Sequence, residues 1–333
     1  MGVISSEKYT RTLKSLANRR VVAVFFLGFA SGLPLALAGG TLQAWMAVEG
    51  VDLKTIGLFS LVGLPYAFKF FWAPLLDRYA LPFLGRRRGW ILGTQLALMI
   101  LIVMLGFTSP KDTPWLVALF ALLLTFTSAS QDIVFDAYRT DVLREKERGL
   151  GAAVSVTGYR IAMLASGALA LILAGPLGWR LTYLLMAALM LIGTMATIFG
   201  PEPEETVRPP QSLKEAISGP LTEFFGRPAA WAFLALIILY KIGDAFAGSL
   251  TTAFLIRGPG FSIGEVGAIN KGLGLMATII GALYGGVMLA RLGLYRSLMI
   301  FGILQAISNL SFMVLAYAGK VYSIMVAAVA FEN

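Results

Sequence analysis

Long apolar runs recur along this chain from residue 21 to its last residues, and they limit its fold more than any other feature. A membrane-spanning helix needs about 20 apolar residues. Runs of this kind lie near 21–47, 55–76, 90–108, 115–137, 150–174, 180–199, 229–255, 265–290 and 297–318, and a last one starts near 321. The sequence therefore predicts an all-α polytopic membrane protein with about ten spans.

The composition agrees with a membrane protein and excludes several other classes. The chain is 58% hydrophobic and 14% charged, and its mean hydropathy is +0.79, far from a soluble domain. Its net charge of +9 does not indicate a nucleic-acid partner, because Lys and Arg lie in short segments between the apolar runs. The chain has no Cys, which excludes disulfides and thiolate metal sites, and no His, the commonest general base. We expect no metal site and no cofactor, and we expect carboxylates to carry any protons.

The basic segments define a topology. Residues 1–20 are basic, and the apolar run after them imitates a signal peptide near 21–38 but continues through Trp45, so we interpret it as a span. A cytoplasmic N-terminus places the basic segments 78–88, 139–148, 208–227 and 291–296 all on the cytoplasmic side, as the distribution of Lys and Arg in membrane proteins requires.

The two halves of the sequence repeat each other weakly. Residues 51–57 align with 261–267, and 76–78 align with 289–291, each pair at a similar place relative to an apolar run. Two related halves are typical of transporters whose site lies near the midplane of the bilayer. We predict a basic N-terminus (1–20), a six-helix bundle (21–200), a cytoplasmic linker with an amphipathic segment (201–228) and a partial second bundle (229–333). Gly219-Pro220 interrupts that amphipathic segment, so it forms either one helix on the inner membrane surface or two short turns.

The loop after residue 76 joins an acid to a basic cluster. Such charges can form a pair that opens and closes, or the loop can simply hold its side of the membrane in the cytoplasm. The pattern resembles the loop between the second and third helices of the major facilitator superfamily, where these charges form a cytoplasmic latch. The gate candidates are Asp77, Arg78, Arg86, Arg87, Arg88 and Arg139. Ala290 replaces the acid in the second half, so we expect a weaker latch there.

Each charged residue inside a predicted span needs a structural or functional reason. Inserting one charged side chain at the middle of the membrane costs at least ~2.5–3.5 kcal/mol. We expect Asp132 to pair with Arg160, either as a structural clamp or as a coupling site. Lys241 and Asp244 are three residues apart and either neutralise each other or have a function. The proton-coupling candidates are Asp132, Asp244 and Asp136, and their candidate charge partners are Arg160, Lys241, Lys69 and Lys271.

Uncharged polar side chains in the spans offer a cavity for a solute rich in hydroxyl and amide groups. These cavity candidates are Gln43, Trp45, Ser128, Gln131, Tyr240 and Asn270. Trp and Tyr present a flat apolar face with a hydrogen-bonding edge to a sugar. Trp45 is alternatively an anchor at the membrane interface.

Several long runs resemble the AmpG-type muropeptide permeases of Gram-negative bacteria, a family within the major facilitator superfamily. The runs are FLGFASGLPLALAGGTLQAWM (26–46), DLKTIGLFSLVG (52–63), PFLGRRRGW (82–90), SASQDIVFDAYRTDVL (128–143), YKIGDAFAGSLTTAFLIRG (240–258) and FGILQAISN (301–309). The resemblance implies a major facilitator fold of two bundles in the bacterial inner membrane. It also implies proton-driven import of GlcNAc-1,6-anhydroMurNAc, with or without peptide, for cell-wall recycling and β-lactamase induction.

This resemblance also implies twelve spans, so we expect the second bundle to be truncated here and transport to be in question. The alternatives are a transporter of another sugar- or nucleotide-like solute, an inactive truncated permease, and a non-transporting sensor or enzyme. The sequence shows neither a soluble output domain for a sensor nor a Ser/His/Asp set for an enzyme, which argues against the last alternative. The expected partners are the muropeptide and the lipid bilayer.

Overall fold

A computed structural model describes residues 18–81, 83–203, 212–239 and 272–332, together with 251, 254–255, 258–261, 265 and 269. Within these residues the chain is helical and contains no strand. The candidates Tyr240, Lys241, Asp244, Asn270 and Lys271 lie outside the described residues. The chain divides into two units, Met1–Ile217 and Ser218–Asn333, and each is considered separately.

The helices of the first unit are α1 (Arg19–Ala38), α2 (Gly40–Val48), α3 (Leu53–Leu58), α4 (Leu64–Phe68), α5 (Ala73–Arg78), α6 (Gly85–Gly106), α7 (Pro114–Val142), α8 (Arg148–Leu164) and α9 (Ala170–Phe199). Helix α10 (Leu213–Phe225) crosses the boundary between the units. The second unit contains α11 (Ala230–Leu239), α12 (Gly274–Leu292), α13 (Leu294–Ala318) and α14 (Tyr322–Glu332).

Six helical stretches in the described residues are long and apolar enough to cross a membrane, or seven if the bent pair α10 and α11 forms one span. This makes the chain a multi-pass membrane protein. One stretch, Glu145–Phe199, has 55 residues and would be ~80 Å long if straight. It divides at Gly178, whose φ of 76° and ψ of 163° are not helical. The count of ten spans stays a prediction, since much of 240–271 is not described.

The second predicted span, 55–76, is not one continuous helix, which corrects the sequence interpretation. It consists of α3, a 3₁₀ turn (Phe59–Gly63), α4, a second 3₁₀ turn (Lys69–Phe71) and α5. Pro65 and Pro74 lack the backbone donor that a continuous helix requires, and Gly57 and Gly63 weaken it further. Lys69 therefore lies in a short 3₁₀ turn between two α-helices.

Helices α1 and α8 pack with their backbones in close contact. A Cβ atom at Gly28 would lie 2.5 Å from the carbonyl oxygen of Ser155, and one at Gly32 or Gly158 would collide with a backbone carbonyl of the other helix. Small residues four apart allow such an approach in membranes, where dispersion forces replace the hydrophobic effect between helices. This packing fixes the rotation of α1, which carries Ser31 on its buried side.

Helix α10 is a single helix that retains Pro220 in its interior, so the alternative of two short turns does not hold. It is bent by 93° from α11 across the connection 226–229. The described core of the second unit contains Leu255, Phe261, Leu315, Met325 and Val329.

Candidate functional site

A ladder of polar contacts joins α7 to the broken segment α3–α5. Thr125 donates a hydrogen bond to the carbonyl oxygen of Val62 (2.6 Å), and the hydroxyl of Tyr66 donates to Ser128 (2.9 Å). Residues 125, 128 and 132 recur at the spacing of one helix face. Thr125 thus supplies a donor to a carbonyl in the first 3₁₀ turn, which water cannot do inside a bilayer.

The last step of this ladder is the carboxylate of Asp132. Ser31 on α1 donates a short hydrogen bond to Asp132 Oδ1, and Lys69 Nζ lies 3.9 Å from Asp132 Oδ2. The side chain of Asp132 is 15% exposed and that of Lys69 is 35% exposed. One carboxylate therefore joins α1, α7 and the broken segment, and its ion pair is open enough on the lysine side to separate.

The expected partner of Asp132, Arg160, is placed elsewhere. Within the described residues, Arg160 Nη1 approaches the sulfur of Met163 on the same helix at 4.0 Å. Lys69 takes the position beside Asp132 instead, because the two 3₁₀ turns bring this part of the broken segment against α7. Asp136 pairs with Arg139 on its own helix (3.0 Å).

The cavity candidates that the structure describes differ in their surroundings. Ser128 and Gln131 are buried on α7 near Asp132, and Gln131 Oε1 has no hydrogen-bond partner among the described residues. Gln43 lies on α2, half-buried. Trp45 is 4% exposed and stacks on Trp179 with ring centroids 5.5 Å apart, so it packs in the core of the first unit; its contact with a substrate stays a prediction.

Three residues of this site were missed by the sequence analysis. Ser31 and Tyr66 contact Asp132 and Ser128 respectively, and Trp72 Nε1 donates to Ser130 (3.0 Å). Each is a polar group within or at the end of an apolar run, which was the available signal. Which side chain each would meet depends on helix rotation, and a single sequence does not reveal that.

At the end of the first unit that carries most arginines, Arg87 bridges two helices. Its Nη1 lies 2.6 Å from Asp77 Oδ1 at the end of α5, and its Nε lies 3.0 Å from Asp141 Oδ2 near the end of α7. The guanidinium is planar and presents several donors, so it can hold two carboxylates at once. Arg86 Nη1 donates to the backbone carbonyl of Asp77 (3.1 Å).

The remaining gate candidates have other partners. Arg88 donates to the carbonyl oxygens of Thr197 (2.9 Å) and Ile198 (2.7 Å) at the end of α9 and pairs with Glu202 (2.6 Å). Arg78 lies over the ring of Tyr79 at 5.5 Å. Three of the six candidates lie together, since Arg86 and Arg87 both contact Asp77, and the other three have partners elsewhere. Arg87 joins the ends of α5 and α7, and Arg88 joins the start of α6 to the end of α9.

Among the described residues outside the spanning helices, Asp52 and Lys320 have shifted pKa values. The hydrogen bond from the Thr55 hydroxyl lowers the pKa of Asp52, whose side chain also caps α3 by accepting from the Thr55 amide (3.0 Å). The hydrogen bond to Glu265 raises the pKa of Lys320. Asp52 precedes α3 in one sequence repeat, and Glu265 belongs to the other.

Comparisons with known proteins identify relatives over nearly the whole chain. The family model described as Major Facilitator Superfamily matches residues 24–331. The anhydromuropeptide permease of Escherichia coli K12 is 58% identical over 323 residues, which cover 96% of this chain and 66% of that protein. The chain thus spans just under two thirds of the length of that relative.

Two further relatives are more distant. A putative transporter AmpG 4 of Rickettsia conorii is 32% identical, with 97% of this chain and 80% of that protein covered. An uncharacterized protein of Haemophilus influenzae is 40% identical, with 91% and 72% covered.

Proposed function

Because the chain belongs to the major facilitator superfamily, and within it to the AmpG-type permeases, we propose that it imports anhydromuropeptides across the bacterial inner membrane. The observation that carries the proposal is the 58% identity to the E. coli anhydromuropeptide permease. The substrate class is GlcNAc-1,6-anhydroMurNAc with or without peptide, and its import would serve cell-wall recycling and β-lactamase induction.

Asp132 is the described group best suited to couple transport to protons. Its carboxylate, held by Ser31 and facing Lys69, lies inside a span where a lone charge is costly. Protonation would remove the attraction to Lys69, so the broken segment could move relative to α7. One proton crossing ~100 mV supplies about 2.3 kcal/mol, enough for a roughly fifty-fold gradient of a neutral solute.

Arg87 is the proposed cytoplasmic latch. By holding Asp77 and Asp141 it ties the end of α5 to the end of α7. The broken segment, of which α5 is the last helix, contacts α7 again through Lys69 and Asp132. Closing the arginine-bearing end and protonating Asp132 would then act on one moving element, the broken segment. This requires a cytoplasmic N-terminus, which the distribution of Lys and Arg favours.

The wider architecture of the proposal follows the family. It contains two pseudo-repeated bundles with about ten spans in these 333 residues and a substrate site near the midplane. The polar residues nearest to Asp132 on α7, Ser128 and Gln131, would line that site.

Uptake measurements test the proposal directly. Right-side-out vesicles containing this chain, or the E. coli permease as positive control, receive radiolabelled GlcNAc-anhydroMurNAc with and without an uncoupler. Accumulation that the uncoupler abolishes is the expected result. If the chain is inserted and accumulates nothing while the E. coli permease does, the proposed function is wrong for this chain.

A further inference from the structure

The first residues of α1 and the last residues of α9 line an apolar groove that has no role in the proposed transport. Its volume is about 570 Å³. Its apolar walls include Val22 and Phe26 of α1 and Ile192, Met195 and Phe199 of α9, all exposed. These side chains belong to membrane-spanning helices of the first unit and are exposed among the described residues, and an exposed apolar surface on such helices meets the acyl chains of the bilayer.

A fixed arginine closes the polar end of this groove. Arg19 donates from Nε (3.2 Å) and Nη2 (2.7 Å) to the carbonyl oxygen of Phe199, which positions its guanidinium at the rim. Among the described residues, these two hydrogen bonds leave donors on Nη1 available, because a guanidinium has five N–H groups. An arginine so placed suits a phosphate, which it binds with better geometry than a lysine does.

We propose that this groove binds one anionic phospholipid, with an acyl chain between α1 and α9 and the phosphate at Arg19. Two properties of the groove match such a lipid. Its apolar walls suit an acyl chain, and the guanidinium of Arg19 is fixed where a headgroup would lie. Basic pockets between spanning helices are known to bind anionic headgroups. The site is separate from Asp132 and Arg87, so it is independent of the transport proposal.

Lipid binding to the purified chain tests this site by native mass spectrometry. Dioleoyl phosphatidylglycerol is titrated against dioleoyl phosphatidylcholine, and one molecule of the anionic lipid is expected to bind preferentially. Arg19→Gln should weaken that binding about fivefold, as expected for one basic side chain near a membrane surface. Lys146→Gln removes the same charge from an exposed position at the same end and should leave the binding unchanged.

A second pair of variants tests the acyl-chain channel. Met195→Trp fills the groove and should abolish the preferential binding, whereas Leu122→Trp, at an exposed position on α7, should retain it. Glycerol 3-phosphate, which has no acyl chain, should not compete.

Three results would overturn the proposal. Equal losses in Arg19→Gln and Lys146→Gln would indicate only general attraction of anions. Competition by glycerol 3-phosphate would indicate an anion site without a lipid. Unchanged lipid binding in Met195→Trp, with a lowered melting temperature, would indicate that another part of the chain, such as residues 1–17, fills the groove.

Discussion

The ammonium group of Lys69 lies 3.9 Å from the carboxylate of Asp132, across the contact between a twice-interrupted segment and the 29-residue helix α7. The pair lies at the second 3₁₀ turn, a three-residue interruption between α4 and α5. Protonation of Asp132 would remove its attraction to Lys69 and so would allow the segment to move relative to α7.

Asp132→Asn should abolish accumulation driven by protons while allowing the substrate to equilibrate. Asparagine retains the shape of aspartate but has no carboxyl group that can bind and release a proton. Uptake into vesicles with and without an uncoupler measures this. Asp112→Asn is the matched control, since Asp112 lies in an exposed loop and its carboxylate accepts a hydrogen bond from Ser109. Uncoupler-sensitive accumulation by Asp132→Asn would remove Asp132 from the coupling role.

Lys69→Gln should destabilise the protein more than Lys69→Gln combined with Asp132→Asn, because the single change leaves a carboxylate without its cation. Removing one partner of a buried pair costs about 3–5 kcal/mol. The cost here should be smaller, since the side chain of Lys69 is 35% exposed. Melting temperatures in detergent compare the two variants. A double variant less stable than the single one would mean that the pair itself stabilises the fold.

Arg87→Gln should loosen the arginine-bearing end of the first unit, because it removes both contacts to Asp77 and Asp141. The chain has no cysteine, so Ser155→Cys, buried beside Arg139, gives a single labelling site. Its reaction with a membrane-impermeant maleimide from that side should rise several-fold in Arg87→Gln. Arg144→Gln, an exposed arginine in the connection before α8, is the control, and equal labelling in both variants contradicts the latch.

The sequence was sufficient to find the membrane class, the family and the residues Lys69 and Asp132, because a charge within an apolar run stands out from its neighbours. It did not identify their pairing. Lys69 and Arg160 both lie in apolar runs, and the choice between them depends on helix rotation and on breaks in the second span. The glycines and prolines that cause the breaks were visible, but their combined effect depends on packing against α7.

The core position of Trp45 was unexpected for a related reason. Its side chain is as compatible with a sugar site or an interfacial belt as with a core, and its position in the core depends on Trp179 and Tyr183, more than 130 residues later in the chain. Amphipathic aromatic residues are ambiguous in this way because one side is apolar and the other can form a hydrogen bond.

Trp45→Ala should destabilise the first unit, whereas Trp45→Phe should preserve the concentration of substrate that gives half-maximal uptake. Removing a buried large aromatic side chain costs about 3–5 kcal/mol. Melting temperature and concentration-dependent uptake separate the two effects. A large change in the half-maximal concentration for Trp45→Phe, with unchanged stability, would restore Trp45 to the substrate site.

Gly158→Ala should separate α1 from α8 and lower the melting temperature. The added methyl group would collide with the carbonyl oxygen of Phe25 and approach the amide nitrogen of Phe29 to 3.0 Å. Neither backbone atom can move without displacing its helix, and overpacking of this kind costs about 1–3 kcal/mol. Gly175→Ala is the matched control, because a Cβ atom there has nothing within 4 Å and alanine favours the helix. Equal melting temperatures for the two variants would mean that the close contact between α1 and α8 does not determine the stability of the first unit.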